Sequence, residues 1–279
     1  MAISTVSLRM PTPTLTPKPL LSYRLLSFDV YGTLVDWESG ILAKLRPLQD
    51  QLPAEHPFRD PRTLLGRFDE FAVAIQEVEP SLPYPEVLSR SYVDLVRDLQ
   101  IPMKEAEVQS AAQELGDSVG TWPAFPDTIS ALQRLSKHYK YLIPLSNVDR
   151  KSFEQTLNCP LQGAPFAAYY LAEDIGTYKP DLNNFKYLID HAKTDFGVDK
   201  DNILHVACAL KHDHMPAKRL GLHSVWIAKE GAGIGGMTEQ LHKDGSVGYA
   251  WRFGLLSELA DLVENEAAAN SVDELNGSR

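Results

Sequence analysis

Residues 23–30, YRLLSFDV, with YGT following at 31–33, decide the fold of this chain. This short apolar run lies between a proline-rich segment and a glycine, which is typical of a buried parallel strand. The run ends on a single carboxylate, Asp29, and a buried carboxylate is costly unless it has a partner or a task. We therefore expect a parallel sheet with Asp29 at the carboxyl end of its first strand, the edge at which such sheets bind ligands.

Beyond Trp122 the sequence alternates between strand-like apolar runs and helical segments. This alternation predicts the α/β class, with a Rossmann-like parallel sheet that helices cover on both faces. The predicted strands span 139–146, 166–172, 202–207 and 223–228, and the predicted helices span 127–137, 149–157, 182–192 and 216–220.

Between the first strand and this alternation, apolar residues recur at helical spacing and no strand is predicted. We therefore expect an all-helical domain inserted into the α/β core. The first residues are rich in Ser, Thr and Pro and lack acids, which favours a disordered extension over a short transit segment. The predicted organisation is an extension at 1–20, a core at 21–36 and 122–265, a helical insert at 37–121 and a flexible tail at 266–279.

The composition excludes several classes of protein. Of the 279 residues, 44% are hydrophobic and 23% are charged, as in a globular protein. The net charge of −10 argues against nucleic-acid and anionic-membrane binding, since both need clustered Lys and Arg. Two cysteines form no disulfide framework, so a reducing compartment and a cytoplasmic location are expected. The composition does not determine the oligomeric state, and a homodimer is one possibility.

Polar residues follow the predicted strands in a recognisable order. The series is the D-x-Y-G-T run at 29–33, then Ser146-Asn147, then Lys179-Pro180, then Asp213. This series resembles the haloacid dehalogenase (HAD) superfamily, and more closely its L-2-haloacid dehalogenase-like branch. The resemblance covers residues 23–263 and implies a HAD fold in which the helical insert is a cap over the pocket.

The resemblance also implies roles for the polar residues. Asp29 would be the nucleophile that forms an ester with the substrate, which water then opens. Lys179 would supply a fixed positive charge beside it, and Asp213 would hold Lys179 or position the water. Thr33 and Ser146 would donate hydrogen bonds to the carboxylate or to the substrate anion.

Four further residues are expected to bind a small anionic organic substrate. They are Asn147 through its amide, Val30 and Tyr31 through their backbone N–H groups, and Arg67 from the cap, with Arg62 as the alternative to Arg67.

Tyr31 distinguishes between two reaction classes. Phosphatases of the superfamily carry a second Asp at this position to protonate the leaving alcohol, and a tyrosine with a pKa near ~10 is a poor acid at neutral pH. The resemblance therefore favours 2-haloacid dehalogenase-type hydrolysis of a small organic acid, without metal or cofactor. An Mg²⁺ ion is expected only if the protein is a phosphatase.

The last motif departs from the dehalogenase pattern and keeps other functions open. Cys208, Ala209 and Leu210 replace the Ser and Asn that organise water in those enzymes, and Phe185 replaces a tyrosine. The alternatives are a specialised biosynthetic HAD-like enzyme acting on a larger substrate, an Mg²⁺-dependent phosphatase and a non-catalytic binding protein.

Overall fold

A computed structural model describes residues 15–229 and 238–277, the last six by their backbone alone. Its centre is a six-stranded sheet in the order β3-β2-β1-β4-β5-β6, and every neighbouring pair of strands is parallel. The predicted α/β class is confirmed. The strands are β1 Leu25–Phe28, β2 Tyr141–Ser146, β3 Tyr170–Leu171, β4 Ile203–Ala207, β5 His223–Ile227 and β6 Trp251–Phe253.

Helices occupy both faces of the sheet and the insert. In the described residues they are α1 Trp37–Gln49, α2 Pro61–Val78, α3 Tyr84–Asp98, α4 Glu105–Asp117, α5 Thr128–Leu135, α6 Arg150–Asn158, α7 Ala172–Ile175, α8 Leu182–Phe196, α9 Met215–Arg219, α10 Thr238–Lys243 and α11 Leu256–Gly277. A single π-helical turn, Leu210–His214, precedes α9.

Strand β1 is buried on both faces, which is why its sequence is an almost unbroken apolar run. On one face Leu25 belongs to the same apolar cluster as Leu188 of α8. On the other face Leu26 belongs to a cluster with Leu132 of α5 and Leu259 of α11. The carboxyl end of β1 therefore lies at the middle of the sheet edge.

The insert is helical throughout its described length, with α1 to α4 and short 3-10 turns between residues 37 and 121. Asp36 and Asp60 cap α1 and α2 by accepting hydrogen bonds from backbone N–H groups of the first turns. Two adjacent segments connect the insert to the core. The Asp36 N–H donates to the Pro123 carbonyl at 2.8 Å, and the Phe125 N–H donates to the Leu34 carbonyl at 3.0 Å.

Two elements differ from the sequence-based predictions. Strand β6 was not predicted, because it has three residues, all only partly buried. The tail predicted to be flexible from residue 266 is helical as far as Gly277. Glu266 explains part of this order, because its carboxylate accepts hydrogen bonds from the Leu20 and Leu21 N–H groups at 3.0 and 2.9 Å.

The predicted disordered extension lies only partly within the described residues. Leu20, the last residue of that extension, is buried, and the Lys18 ammonium donates to the Asp201 carbonyl at 3.0 Å. Residues 1–14 lie outside the described part of the chain. Among the described helices, none combines the length and apolar character needed to cross a membrane.

Candidate active site

A cavity of about 1240 Å³ lies between the carboxyl edge of the sheet and the helical insert. Asp29, Ser146 and Lys179 line it from the sheet, and Trp37 and Tyr84 line it from α1 and α3. Its volume is above the range of about 300–1,000 Å³ that is common for small-molecule sites.

Asp29 lies at the floor of this cavity with 6% of its surface exposed. Its backbone N–H donates to the Val206 carbonyl at 3.0 Å, which extends the pairing of β1 with β4 by one residue. One carboxylate oxygen, Oδ1, accepts from the Lys179 ammonium at 2.9 Å, and the other, Oδ2, accepts from the Thr33 hydroxyl at 2.6 Å. The carboxylate is therefore fixed in orientation and still reaches the cavity.

The Lys179 ammonium is held by three acceptors, which matches the number of its protons. They are Asp29 Oδ1, the Leu145 carbonyl at 2.9 Å and Asp213 Oδ1 at 2.7 Å. The side chain is almost completely buried. This geometry brings together the residues predicted as nucleophile, cation and second acid.

Opposing effects set the protonation of this buried group. Burial raises the pKa of Asp29, and the Lys179 ammonium opposes that rise. Burial lowers the pKa of Lys179, but the charges of Asp213 and Asp29 outweigh it, so its pKa is raised. Burial likewise raises the pKa of Asp213, but Lys179 and His205 outweigh it and hold that pKa below its ordinary value. Lys179 is therefore an ammonium and Asp213 a carboxylate, while burial keeps the pKa of Asp29 above its ordinary value.

Asn147 contacts the backbone of Lys179 through its side-chain amide. Its amide oxygen accepts from the Lys179 N–H at 2.7 Å and its amide nitrogen donates to the Lys179 carbonyl at 3.0 Å. The amide is therefore engaged at both ends by the backbone of one residue. Asn147 therefore positions the lysine, while its second amide proton has no partner among the described residues and the residue lines the cavity.

Ser146 and the turn after β1 present hydrogen-bond donors to the cavity. The Ser146 hydroxyl is buried and has no hydrogen-bond partner among the described residues. The turn uses the N–H groups of residues 32–35, and no hydrogen bond in the described residues uses those of Val30 and Tyr31. The donors predicted for a substrate anion at Ser146, Val30 and Tyr31 therefore have no competing partner among the described residues, and Ser146 and Tyr31 line the cavity.

The side chains of the same turn have structural contacts. Val30 is fully buried, and the Tyr31 hydroxyl hydrogen-bonds with the Thr156 hydroxyl at 2.8 Å. Burial raises the pKa of Tyr31, so its phenol remains protonated at neutral pH. The Thr33 hydroxyl also accepts from the Cys208 N–H at 2.9 Å, which ties β1 to the loop after β4. Gly32 has a φ of +96°, a conformation that glycine adopts without strain.

Arg67 lines the cavity but is not available to bind an anion as predicted. Its guanidinium donates two hydrogen bonds to Asp98 on α3, at 2.9 and 2.6 Å, and a third to Glu70 at 2.7 Å. Two carboxylates offset its single charge, so the structure corrects its assignment as a substrate-binding cation. Arg62, the alternative, is an exposed residue in the first turn of α2.

Sequence reasoning missed two polar residues beneath the site. The Ser27 hydroxyl hydrogen-bonds with His205 Nδ1 at 2.7 Å, and His205 Nε2 lies 2.9 Å from Asp213 Oδ1. Ser27 and His205 are register partners on β1 and β4. The sequence did contain a signal for these two residues. Each is a polar residue inside an apolar strand, and a buried polar group needs a hydrogen-bond partner.

The described residues contain no group of three or more His, Cys, Asp and Glu side chains placed to hold a metal ion. At the position where phosphatases supply a further acid, Cys208 is largely buried, and burial raises the pKa of its thiol to about 12. The thiol is therefore protonated at neutral pH and is a poor ligand for a hard cation.

The arrangement defines a class: an α/β protein with a helical insert and a carboxylate–ammonium–carboxylate group at the carboxyl edge of its sheet. No family model and no curated protein matches the chain. Solved structures do match. The L-2-haloacid dehalogenase from Xanthobacter autotrophicus has a TM-score of 0.66 at 16% identity, over 87% of this chain and 98% of that one.

Two further structures extend this likeness. The same Xanthobacter enzyme with chloropropionic acid covalently bound has a TM-score of 0.63 at 16% identity, over 87% and 98% of the two chains. A HAD hydrolase from Bacillus subtilis bound to magnesium has a TM-score of 0.62 at 16% identity, over 87% and 99%. The chain therefore has the fold of the HAD superfamily and resembles its L-2-haloacid dehalogenase-like branch.

Proposed function

We propose that this protein is a hydrolase that uses Asp29 as a nucleophile on a small organic acid, with 2-haloacid hydrolysis as the leading reaction. The observation that carries the proposal is the fixed Asp29 carboxylate, which reaches a cavity while Lys179 and Thr33 each hold one of its oxygens. A structure of this fold with chloropropionic acid covalently bound supports the same chemistry.

The first step is a displacement at carbon. An oxygen of Asp29 attacks C2 of the acid, the new C–O bond forms, and the carbon–halogen bond breaks with its electron pair leaving on the halide. The substrate carboxylate is bound by the Ser146 hydroxyl and the N–H groups of Val30 and Tyr31. The second step is hydrolysis of the Asp29 ester, which regenerates the carboxylate and releases a 2-hydroxyacid and a proton.

Two observations favour a second candidate, a specialised enzyme for a larger organic acid. The cavity of about 1240 Å³ exceeds what a three-carbon acid fills. Arg67 is paired with Asp98 and Glu70, so the described insert does not present this cation to a halide. Asp29 as the nucleophile and Lys179 beside it are the same in both candidates, which differ only in the size of the substrate.

A substrate panel tests the proposal. Short and long 2-haloacids and phosphate monoesters are incubated with the wild-type protein and with Asp29→Asn, and halide, hydroxyacid and phosphate are measured. We expect halide release that disappears in the variant, with long acids preferred if the second candidate holds. Phosphate release that chelator abolishes supports an Mg²⁺-dependent phosphatase. Thermal stabilisation by haloacids without any product supports a binding protein.

A further inference from the structure

We propose that His212 is the general base that activates the hydrolytic water in the second step. This inference rests on the proposed function, since it concerns the fate of the Asp29 ester. The motif in which the dehalogenase pattern places water-organising Ser and Asn has Cys208, Ala209 and Leu210 here, so the side chains that organise the water in that pattern are missing from this chain.

The position of His212 suits that task. The π-helical turn Leu210–His214 carries it directly beside Asp213, whose carboxylate lies 2.7 Å from the Lys179 ammonium. His212 and Asp29 line the same cavity. The imidazole is half-buried, and the described residues give it no hydrogen-bond partner.

The other two imidazoles near Asp213 are fully engaged. His205 contacts Ser27 and Asp213, and His214 contacts the Ser224 hydroxyl and the Ala207 carbonyl, each at 2.9 Å. Both are completely buried, whereas His212 lines the cavity. Of these three histidines, His212 is the one placed to meet a water molecule.

Burial, more than the surrounding charges, keeps His212 neutral and therefore able to accept a proton. Burial lowers its pKa to about 4, and Lys179 and Lys211 act in the same direction while Asp213 opposes them. An imidazole that is neutral at pH 7 has a free nitrogen lone pair for the water proton.

The competing bases in the cavity are less suited. Asp213 is fully buried, and its Oδ1 is bonded to both Lys179 and His205. Its Oδ2 has no partner among the described residues, but Lys179 and His205 hold the pKa of this carboxyl group well below its ordinary value, so it is a weak base. Glu38, on α1, has a pKa that burial raises to about 7. Glu38 belongs to α1 of the insert, whereas His212 is adjacent in sequence to Asp213, which bonds to Lys179. Glu38 is therefore the competing base that the experiment has to test.

The step balances as follows. Water attacks the carbonyl carbon Cγ of the Asp29 ester while its proton passes to a nitrogen of His212. The tetrahedral intermediate collapses, the bond from Cγ to the alcohol oxygen breaks, and that oxygen takes the proton from His212 as the 2-hydroxyacid leaves. The Asp29 carboxyl group loses the remaining proton to solvent, which restores the starting state.

The experiment separates the two chemical steps with racemic 2-bromopropionate as the probe. Wild-type protein, His212→Gln and the control Glu38→Gln are mixed with the probe, and bromide, 2-hydroxypropionate and intact protein mass are followed in time. Circular dichroism and thermal melting verify that each variant is folded, and His212→Asn repeats the test with a second side chain.

In His212→Gln we expect a burst of about one bromide per protein, accumulation of the Asp29 ester and hydrolysis slowed by about 10²–10⁴-fold. Glu38→Gln should hydrolyse the ester at the wild-type rate. Ester hydrolysis at the wild-type rate in His212→Gln and His212→Asn overturns the inference and leaves the proposed function intact. Accumulation of the Asp29 ester in Glu38→Gln alone has the same consequence. If wild-type protein forms neither bromide nor ester, the proposed function fails and the inference fails with it.

Discussion

Lys179 organises the candidate site at the scale of single residues. Its ammonium joins the carboxylate that follows β1 to that of Asp213 in the π-helical turn after β4, and Asn147 holds its backbone at both the N–H and the carbonyl. A buried cation between two buried carboxylates is tolerated only because all its protons are bonded. The same contacts that make the group tolerable in the core hold the Asp29 carboxylate in one orientation.

Thr33 provides a test at this scale. Thr33→Val keeps the shape of the side chain but removes the hydroxyl that donates to Asp29 Oδ2 and accepts from the Cys208 N–H. Because one buried oxygen and one N–H then lack a partner, we expect about 1–3 kcal/mol lower free energy of unfolding. We also expect kcat to fall about tenfold, because the nucleophile loses its fixed orientation.

Chemical denaturation and steady-state kinetics measure both effects of Thr33→Val. Thr63→Val is the matched control, since the Thr63 hydroxyl contacts the exposed Asp60 at the start of α2. Activity of Thr33→Val equal to that of wild type contradicts the role assigned to this hydrogen bond.

Most site residues could be predicted from the sequence because polar residues at the ends of buried strands leave a clear signal. Asp29, Lys179, Asp213, Thr33 and Ser146 all reach the cavity or its buried network. The hydrogen-bond partners of Asn147 and Arg67 could not be predicted. Their actual partners, the Lys179 backbone and Asp98, lie 32 and 31 positions away in sequence, and no local pattern encodes such contacts.

At the scale of elements, helices α3 and α4 of the insert pack closely because Gly116 lacks a side chain. If residue 116 had a Cβ atom, that atom would lie 2.5 Å from the Pro85 carbonyl oxygen, which belongs to the backbone of α3 and cannot rotate away. This contact determines how closely the two helices approach, and so helps to shape the insert that covers the cavity.

Gly116→Ala tests this helix contact. Although alanine has the higher helix propensity, we expect a loss of about 1–3 kcal/mol in the free energy of unfolding, because the new methyl group forces α3 and α4 apart. Gly254→Ala is the control, since the nearest atom to its Cβ is a flexible carboxylate oxygen at 3.7 Å. Urea unfolding measures the free energy of unfolding of both variants and of the wild type. A Gly116→Ala protein more stable than the wild type contradicts the role assigned to this helix contact.

Element boundaries show where sequence reasoning fails physically. The buried strands β1, β2, β4 and β5 produce apolar runs and were predicted within about three residues at each end. Strand β6 has three partly buried residues, so its sequence contains no such run. Its pairing with β5 depends on tertiary contacts that no local pattern contains.

At the scale of the whole molecule, the pH affects stability in opposite directions through a buried imidazole and through two half-buried acids that line the cavity. Burial lowers the pKa of His214 to about 4, so the folded protein resists its protonation. Burial raises the pKa of Glu38 to about 7 and of Asp69 to about 6, so the folded protein favours their protonation. Acidification below pH 7 therefore removes the stability that the neutral imidazole contributes, and it removes the cost of keeping the two half-buried acids charged.

His214→Gln isolates one side of this balance. The folded-state pKa of His214 lies below its unfolded value near 6.5, so its contribution to stability is complete above pH 6.5 and is lost as the pH falls toward 4. We expect the variant to be less stable than wild type at pH 7.5, and that deficit to shrink by about 2 kcal/mol at pH 5. Urea unfolding at the two pH values measures it, and a constant deficit contradicts the linkage.

The most direct test of Asp29 as the nucleophile is a single turnover in water enriched in ¹⁸O, with protein in excess over 2-bromopropionate. The account predicts that ¹⁸O enters the Asp29 carboxylate, detected by mass spectrometry of the tryptic peptide of residues 25–44, and that the first hydroxyacid released carries ordinary oxygen. It also predicts that Asp29→Asn, although folded, incorporates none. Label in the first hydroxyacid and none in Asp29 would mean that water attacks the substrate directly, which contradicts a covalent Asp29 ester.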